Sequence, residues 1–312
     1  MEPKLPPEAI EQFDGLHERL DRLTASLEQD AARAAVPATL FHYTTSAGLR
    51  GITATGTLRL CDLFTMNDPT EMRHGVRYVV NALQEAAAKG HRAAKLFAWQ
   101  FAEHLNQNLE RISRQFVTCF TPVGDDLGQW RAYGENGKGF AIGFDGPKME
   151  AAFHELPHLN GTFAVNYRVD LLREAAEKIV HEALKVLEFP TGRKYDGPTI
   201  SAFLQALSVE TSNAILYTAM LFKHPAYSVE REYRFHHVRP MDDEHGIRTN
   251  GTRSYIELPW KSKNANRLTH VILGPATEKE EARRFVECCL AAGGIEPREI
   301  KIELSTIPYR VS

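Results

Sequence analysis

The segment Leu40-Phe41-His42-Tyr43-Thr44-Thr45 constrains the chain most, because it demands two kinds of backbone in immediate succession. Alternating β-formers make it a strand in which His42 projects to the face opposite Phe41 and Tyr43. Ser46 then supplies a helix N-cap, Ala47 to Ile52 reads as a short helix closed by Gly56, and Thr57 to Leu60 returns to strand. The unit leaves His42 near a strand end, beside a helix N-terminus whose N–H groups favour a polar or anionic ligand.

Short β-rich blocks recur at 116–121, 140–145, 162–169, 229–235, 254–258, 269–273 and 299–304. Helical periodicity fills the gaps: over 9–34, from a cap at Asn67 or Asp68 to about Lys89, and over 91–112, 170–188, 199–223 and 277–292. Thr277 and Glu280 form a capping box for the last of these. The expected fold is α+β, with a helical arm over 1–36 and one domain over 37–312 carrying a helical insertion at about 170–223. Ile10, Phe13, Leu16, Leu20, Leu23 and Leu27 give the first helix an apolar stripe, suited to packing on the core or to joining two copies as a homodimer.

Bulk properties narrow the classes of function. With 312 residues, 43% apolar and 25% charged, the chain can bury a sizeable core and is not globally disordered. A formal charge of −3 provides no whole-chain attraction to nucleic acid or an anionic membrane. The four cysteines lack a C-x-x-C pair and read as reduced thiols. No apolar leader or membrane-spanning run is visible, so the expected location is cytoplasmic. Gly134, Gly137 and Gly139 precede a strand, whereas a dinucleotide fingerprint opens a helix after one. His181-Glu182 lacks the second histidine of a zinc-protease motif, since Lys185 stands there, and His236 and His237 point to opposite faces of a strand. No metal site is expected.

Two further blocks carry chemistry. Trp130 and Tyr133, three apart, share one face of a helical turn. In an extended segment over 229–235, Glu230, Glu232 and Arg234 share one face, with the carboxylates about 7 Å apart. Such proximity raises a carboxylate's pKa unless a cation such as Arg234 compensates. A solvated strand face with a cross-strand ion pair is the plainer interpretation of this pattern.

Taken in order, His42-Tyr43-Thr44, Asn67-Asp68-Pro69-Thr70-Glu71, Cys119-Phe120 with Trp130 and Tyr133, Gly139 to Phe144, Glu230-Arg231-Glu232-Tyr233-Arg234, Ile272-Leu273-Gly274-Pro275 and Ile307-Pro308-Tyr309-Arg310 resemble the bacterial family called domain of unknown function 2971. That family implies no activity. The order of His42, Tyr133 and Glu230 or Glu232 also resembles the ADP-ribosyltransferase superfamily, which implies a split, antiparallel-rich β-sheet, here with helical insertions and a long N-terminal helix. On that resemblance NAD is the substrate. His42 would hydrogen-bond a ribose hydroxyl, the Tyr43 backbone would hold the nicotinamide carboxamide, and Tyr133 would stack on the nicotinamide ring. The late glutamate would bind the ribose and stabilise developing oxocarbenium charge, a preference for the transition state. Thr44, Trp130 and Arg234 complete the implied NAD-binding set. Glu230-x-Glu232 further resembles the paired acids of members that modify arginine or bases, where the first acid orients or deprotonates the acceptor and the second holds NAD. The middle motif departs from the superfamily, many of whose members carry Ser-Thr-Ser on a strand where Trp130 to Tyr133 reads as a helical turn.

The implied activity is ADP-ribose transfer to an unidentified protein or nucleic acid, or NAD hydrolysis, as in a toxin or anti-phage effector. Two other readings use the same residues: a non-enzymatic nucleotide- or nucleic-acid-sensing module, and a metal-dependent nuclease with Asp125, Asp126, Glu230 and Glu232 as oxygen ligands. The NAD reading requires His42 and the glutamate strand to sit on neighbouring strands facing one pocket.

Overall fold

The computed structural model describes residues 5, 7–32, 35–65, 70–90, 94–95, 97–98, 101, 111, 113–191, 196–262 and 265–309. Two sheets organise them. One has the order β1 (Thr39–Thr44), β4 (Phe140–Asp145), β11 (Leu268–Leu273), β12 (Lys301–Leu304). The other runs β5 (Leu159–Ala164), β6 (Tyr233–Arg239), β3 (Arg114–Phe120), β2 (Thr57–Asp62), β8 (Arg253–Pro259), β7 (Arg248–Asn250). A small hairpin pairs β9 (Lys261–Ser262) with β10 (Ala265–Asn266). Every pairing is antiparallel except β11 with β12.

The sheets face each other across one core. Leu40, Ile142, Phe144 and Val271 of the first pack with Phe116, Phe120, Phe235, Leu258 and Trp260 from the second sheet and the turn after β8. Their strands alternate apolar inward, so burial of one face selects the register. A backbone bridge links the sheets at one edge: Phe41 N–H donates to the Thr121 carbonyl at 2.8 Å and Thr121 N–H returns to Phe41 at 2.9 Å.

The α-helices with bounded ranges among the described residues are α1 (Pro7–Ala32), α2 (Ser46–Thr55), α3 (Thr70–Ala88), α4 (Leu127–Ala132), α5 (Gly146–His154), α6 (Val169–Thr191), α7 (Gly197–Leu221) and α8 (Lys279–Ala292). Phe13, Leu16 and Leu20 of α1 are buried with Leu83 of α3, Ile179 of α6 and Phe203 of α7, so the stripe of α1 meets its own chain. This bundle reaches the outer face of the six-stranded sheet through Met72, Leu216 and Met220 against Val117 and Phe163. α2 and α8 pack through Leu49, Val286 and Leu290 into the core between the sheets. Among the described residues no helix is long and apolar enough to cross a membrane.

Several local expectations need correction. The 229–235 strand does not form: Pro225–Glu230 is a 3-10 turn that Arg231 ends in the left-handed region at φ 45°, and β6 begins only at Tyr233. The strand expected over 162–169 lies three residues earlier, as β5, because it follows the register of β6. Thr45, not Ser46, caps α2 by accepting the Gly48 N–H, while Gly56 closes the helix at φ 68° as expected. Thr277 donates to the Gly274 carbonyl at 2.8 Å rather than capping α8, whose N-cap is Glu278. The proposed caps Asn67 and Asp68, most of the 91–112 helix and Arg310 lie outside the described residues.

Close approach of α3 and α7 depends on a glycine. A Cβ at Gly75 would stand 2.5 Å from Ala219 Cβ and 2.8 Å from Ala219 Cα. Gly75→Ala is therefore expected to destabilise by about 1–3 kcal/mol, because overpacking against backbone exceeds the gain in helix propensity. At Gly51 in α2, where a Cβ meets nothing within 4 Å, the same change should stabilise by up to about 1 kcal/mol. Chemical denaturation of the two variants beside the wild type checks the opposite signs.

Candidate functional site

A cavity of about 370 Å³ opens beside the Phe41–Thr121 bridge. β1 contributes His42, β2 Arg59 and Cys61, β3 Cys119, the end of α4 Gln129 and Tyr133, and the segment before β6 Lys223, Glu230 and Glu232.

The acidic wall is assembled around one ammonium. Lys223 follows the apolar end of α7 and is itself buried; its Nζ donates to Glu230 Oε2 at 2.6 Å and to Glu232 Oε2 at 3.0 Å. Arg234 Nε donates to Glu232 Oε1 at 2.7 Å, and its Nη1 to the Met220 carbonyl at 3.0 Å. Tyr133 Oη donates to Glu230 Oε1 at 3.2 Å. Backbone contacts hold Glu232 in place: its N–H donates to Tyr167 Oη at 3.0 Å and its carbonyl accepts the Val165 N–H at 2.9 Å. Burial pushes the Glu232 carboxyl up, but the charges of Arg234 and Lys223 more than reverse this and hold it well below the usual carboxylate range. Burial, with the charge of Glu230, raises the Tyr133 phenol, which remains a neutral donor.

His42 faces the same cavity from the other sheet. Its Nδ1 lies 3.1 Å from the Cys119 carbonyl, and because a carbonyl only accepts, Nδ1 carries the proton. Burial lowers the ring's pKa, partly opposed by that hydrogen bond, so near neutrality Nε2 is an acceptor. The N–H and C=O of Phe41 point to Thr121, and strand alternation turns those of Tyr43 to the same side.

The structure thus brings His42, Tyr43, Tyr133, Glu230 and Glu232 to one cavity. It separates the others. Trp130 is fully buried, donating from Nε1 to Asp125 Oδ1 at 2.8 Å and packing edge-on against Tyr43, so it supports the wall without lining it. Arg234, 1% exposed, stands behind Glu232. Thr44 packs against Gly48 of α2. His42 and the glutamates do not come from neighbouring strands: β3 lies between, paired with β6 along its length and bridged to β1 through Thr121. Asp125 does not join Glu230 and Glu232, because its oxygens accept from Trp130, Ser305 and Thr306, which ties the C-terminal tail to α4. Asp126 caps α4 through the Gln129 N–H. Among the described residues no three His, Cys, Asp or Glu side chains are grouped to hold a metal ion.

Sequence patterns did not single out Lys223, Arg59 or Arg253. The available signal for Lys223 was a cation directly after a long apolar helix; for Arg59 it was a charge between Leu58 and Leu60 on a strand.

Residues 129–235 match the model of a family described as a protein of unknown function, DUF2971. The matched stretch holds Tyr133, Lys223, Glu230 and Glu232, the whole acidic wall. No curated protein and no solved structure matches the chain.

Because the folded pKa of Glu232 is depressed, its contribution to stability is complete above the ordinary value of 4.5 and is lost as pH falls through the folded value. Urea denaturation across the acid range should show this loss in the wild type and a shallower one in Glu232→Gln. Lys223→Met leaves the buried Glu232 and the partly buried Glu230 without their shared cation and is expected to cost about 3–5 kcal/mol near neutrality.

Proposed function

We propose that the protein is an NAD-consuming enzyme of ADP-ribosyltransferase type, which transfers ADP-ribose to a macromolecule or hydrolyses NAD. The observation that carries this reading is the convergence of His42 and the Glu230/Glu232 pair on one cavity from two different sheets. Neutral His42 offers Nε2 as acceptor to a ribose hydroxyl, and the Tyr43 backbone, turned to the cavity side of β1, suits a carboxamide. Tyr133, 38% exposed, offers a ring face to nicotinamide.

In the reaction, the bond between the ribose anomeric carbon and the nicotinamide nitrogen breaks, and its electron pair leaves with nicotinamide. A lone pair of the acceptor, or of water, forms the new bond to that carbon. Glu232, ionised and held by Lys223, Arg234, Tyr167 and Val165, supplies fixed negative charge to the oxocarbenium-like transition state. Glu230, the more accessible of the two carboxylates, takes the acceptor's proton as general base. An enzyme of this kind fits a toxin or anti-phage role in a bacterial cytoplasm.

A second reading, a nucleotide sensor without turnover, is favoured by the two cations that neutralise Glu232. Incubation with NAD, in the presence of cell extract as acceptor source, should release nicotinamide, with Glu232→Gln lowering the rate by about 10²-fold or more and the wild-type rate falling only below pH 6.5 as His42 protonates. Equal release, or none, from wild type and Glu232→Gln removes the enzymatic reading. Thermal stabilisation by NAD without release would select the sensor.

A further inference from the structure

The cavity carries charge of both signs, and the acidic wall accounts for only one. Arg59 on β2 and Arg253 at the start of β8 also line it, both with exposed side chains. Cys61 opposes Tyr255 and Arg59 opposes Glu257 in the β2–β8 register, so Arg59, Cys61, Arg253 and Tyr255 share one face of the sheet. The Arg59 guanidinium lies over the Tyr255 ring, 4.3 Å from its centroid, which fixes the plane of its donors. Glu257, its opposite in the register, is engaged by Arg248 at 3.1 Å. Both guanidinia sit near the Cys61 thiol, where each opposes the upward shift that burial imposes.

Two guanidinia on one concave wall make that wall attractive to a ligand anion. The strand order places β3 between β2 and β6, so the guanidinia stand two and three strand spacings, about 10–14 Å, from the start of β6, which Glu232 immediately precedes. That separation suits a sugar followed by a phosphate group.

We propose that Arg59 and Arg253 form an anion subsite for the diphosphate of a nucleotide whose adjoining sugar reaches His42 and the acidic wall. The identity of the nucleotide as NAD rests on the function proposed above; the charge of the subsite does not. A polynucleotide fits less well, because the guanidinia face a cavity and the chain carries a net charge of −3.

Calorimetric titration of the full-length protein with ADP, with inorganic pyrophosphate and with a single-stranded oligonucleotide tests this. ADP and pyrophosphate are expected to bind the wild type, more weakly as salt rises, and ADP affinity should fall about tenfold or more in Arg59→Gln/Arg253→Gln. Arg284→Gln/Arg298→Gln, an equal loss of charge at exposed residues outside the cavity lining, should leave it within about twofold. Circular dichroism of the double variant should be unchanged, since both side chains are exposed. Absence of ADP and pyrophosphate binding, equal ADP affinity in the double variant, or oligonucleotide binding that depends on the two arginines while ADP binding does not, overturns the subsite. Nicotinamide release reports separately. Arginine-dependent ADP binding without release leaves the subsite standing and sinks the enzymatic reading, whereas release with ADP affinity indifferent to the arginines does the reverse.

Discussion

The ammonium of Lys223 is the interaction on which the site depends. Two carboxylates within reach of one another repel, and a cation set between them offsets that repulsion. Lys223 supplies it to Glu230 and Glu232 together, and Arg234 adds a second charge behind Glu232. The network also joins separate parts of the chain. α7 ends two residues before Lys223, the 3-10 turn ends at Glu230, β6 begins beyond Glu232, and α4 reaches in through Gln129, whose Nε2 donates to the Glu230 carbonyl at 3.3 Å, and through its C-cap Tyr133.

The cavity itself follows from the geometry of two sheets that, among the described residues, touch by backbone at the Phe41–Thr121 bridge. Once Phe41 and Thr121 have paired, β1 continues with β4 while β3 continues with β6, and the space beside the bridge is left to side chains. His42 spans it by donating to the Cys119 carbonyl. On the far side of β1, Tyr43 Oη donates to the Val123 carbonyl and accepts the Asp126 N–H, both at 3.0 Å, so the turn that launches α4 is fixed against β1. Asp125 then binds Trp130 and the tail at Ser305 and Thr306. Burial raises its carboxyl, but these hydrogen bonds bring it below the usual range, which marks an acid committed to structure.

Most of the fold was legible because helix and strand carry different periods. The apolar stripe of the first helix, the strand at 140–145 and the Gly56 stop were all readable from local pattern, since each depends on near neighbours in the chain. The strand over 229–235 was misread for an instructive reason. Alternation of Glu230, Glu232 and Arg234 looks extended, yet Pro225 and the left-handed Arg231 turn the backbone, and the acids reach one place by curling around Lys223 instead.

His42 shows the same division. By itself the sequence determined that the imidazole leaves a short strand on the face opposite two aromatic rings, and that a helix starts just after it, because these are consequences of backbone period and capping. Only the tertiary structure decided that β3 stands between His42 and the glutamates, that Trp130 and Arg234 support the wall without lining it, and that Lys223, Arg59 and Arg253 share the cavity. Charges and hydrogen-bond partners brought together from positions up to roughly two hundred residues apart depend on strand order and burial, and neither has a local period to read.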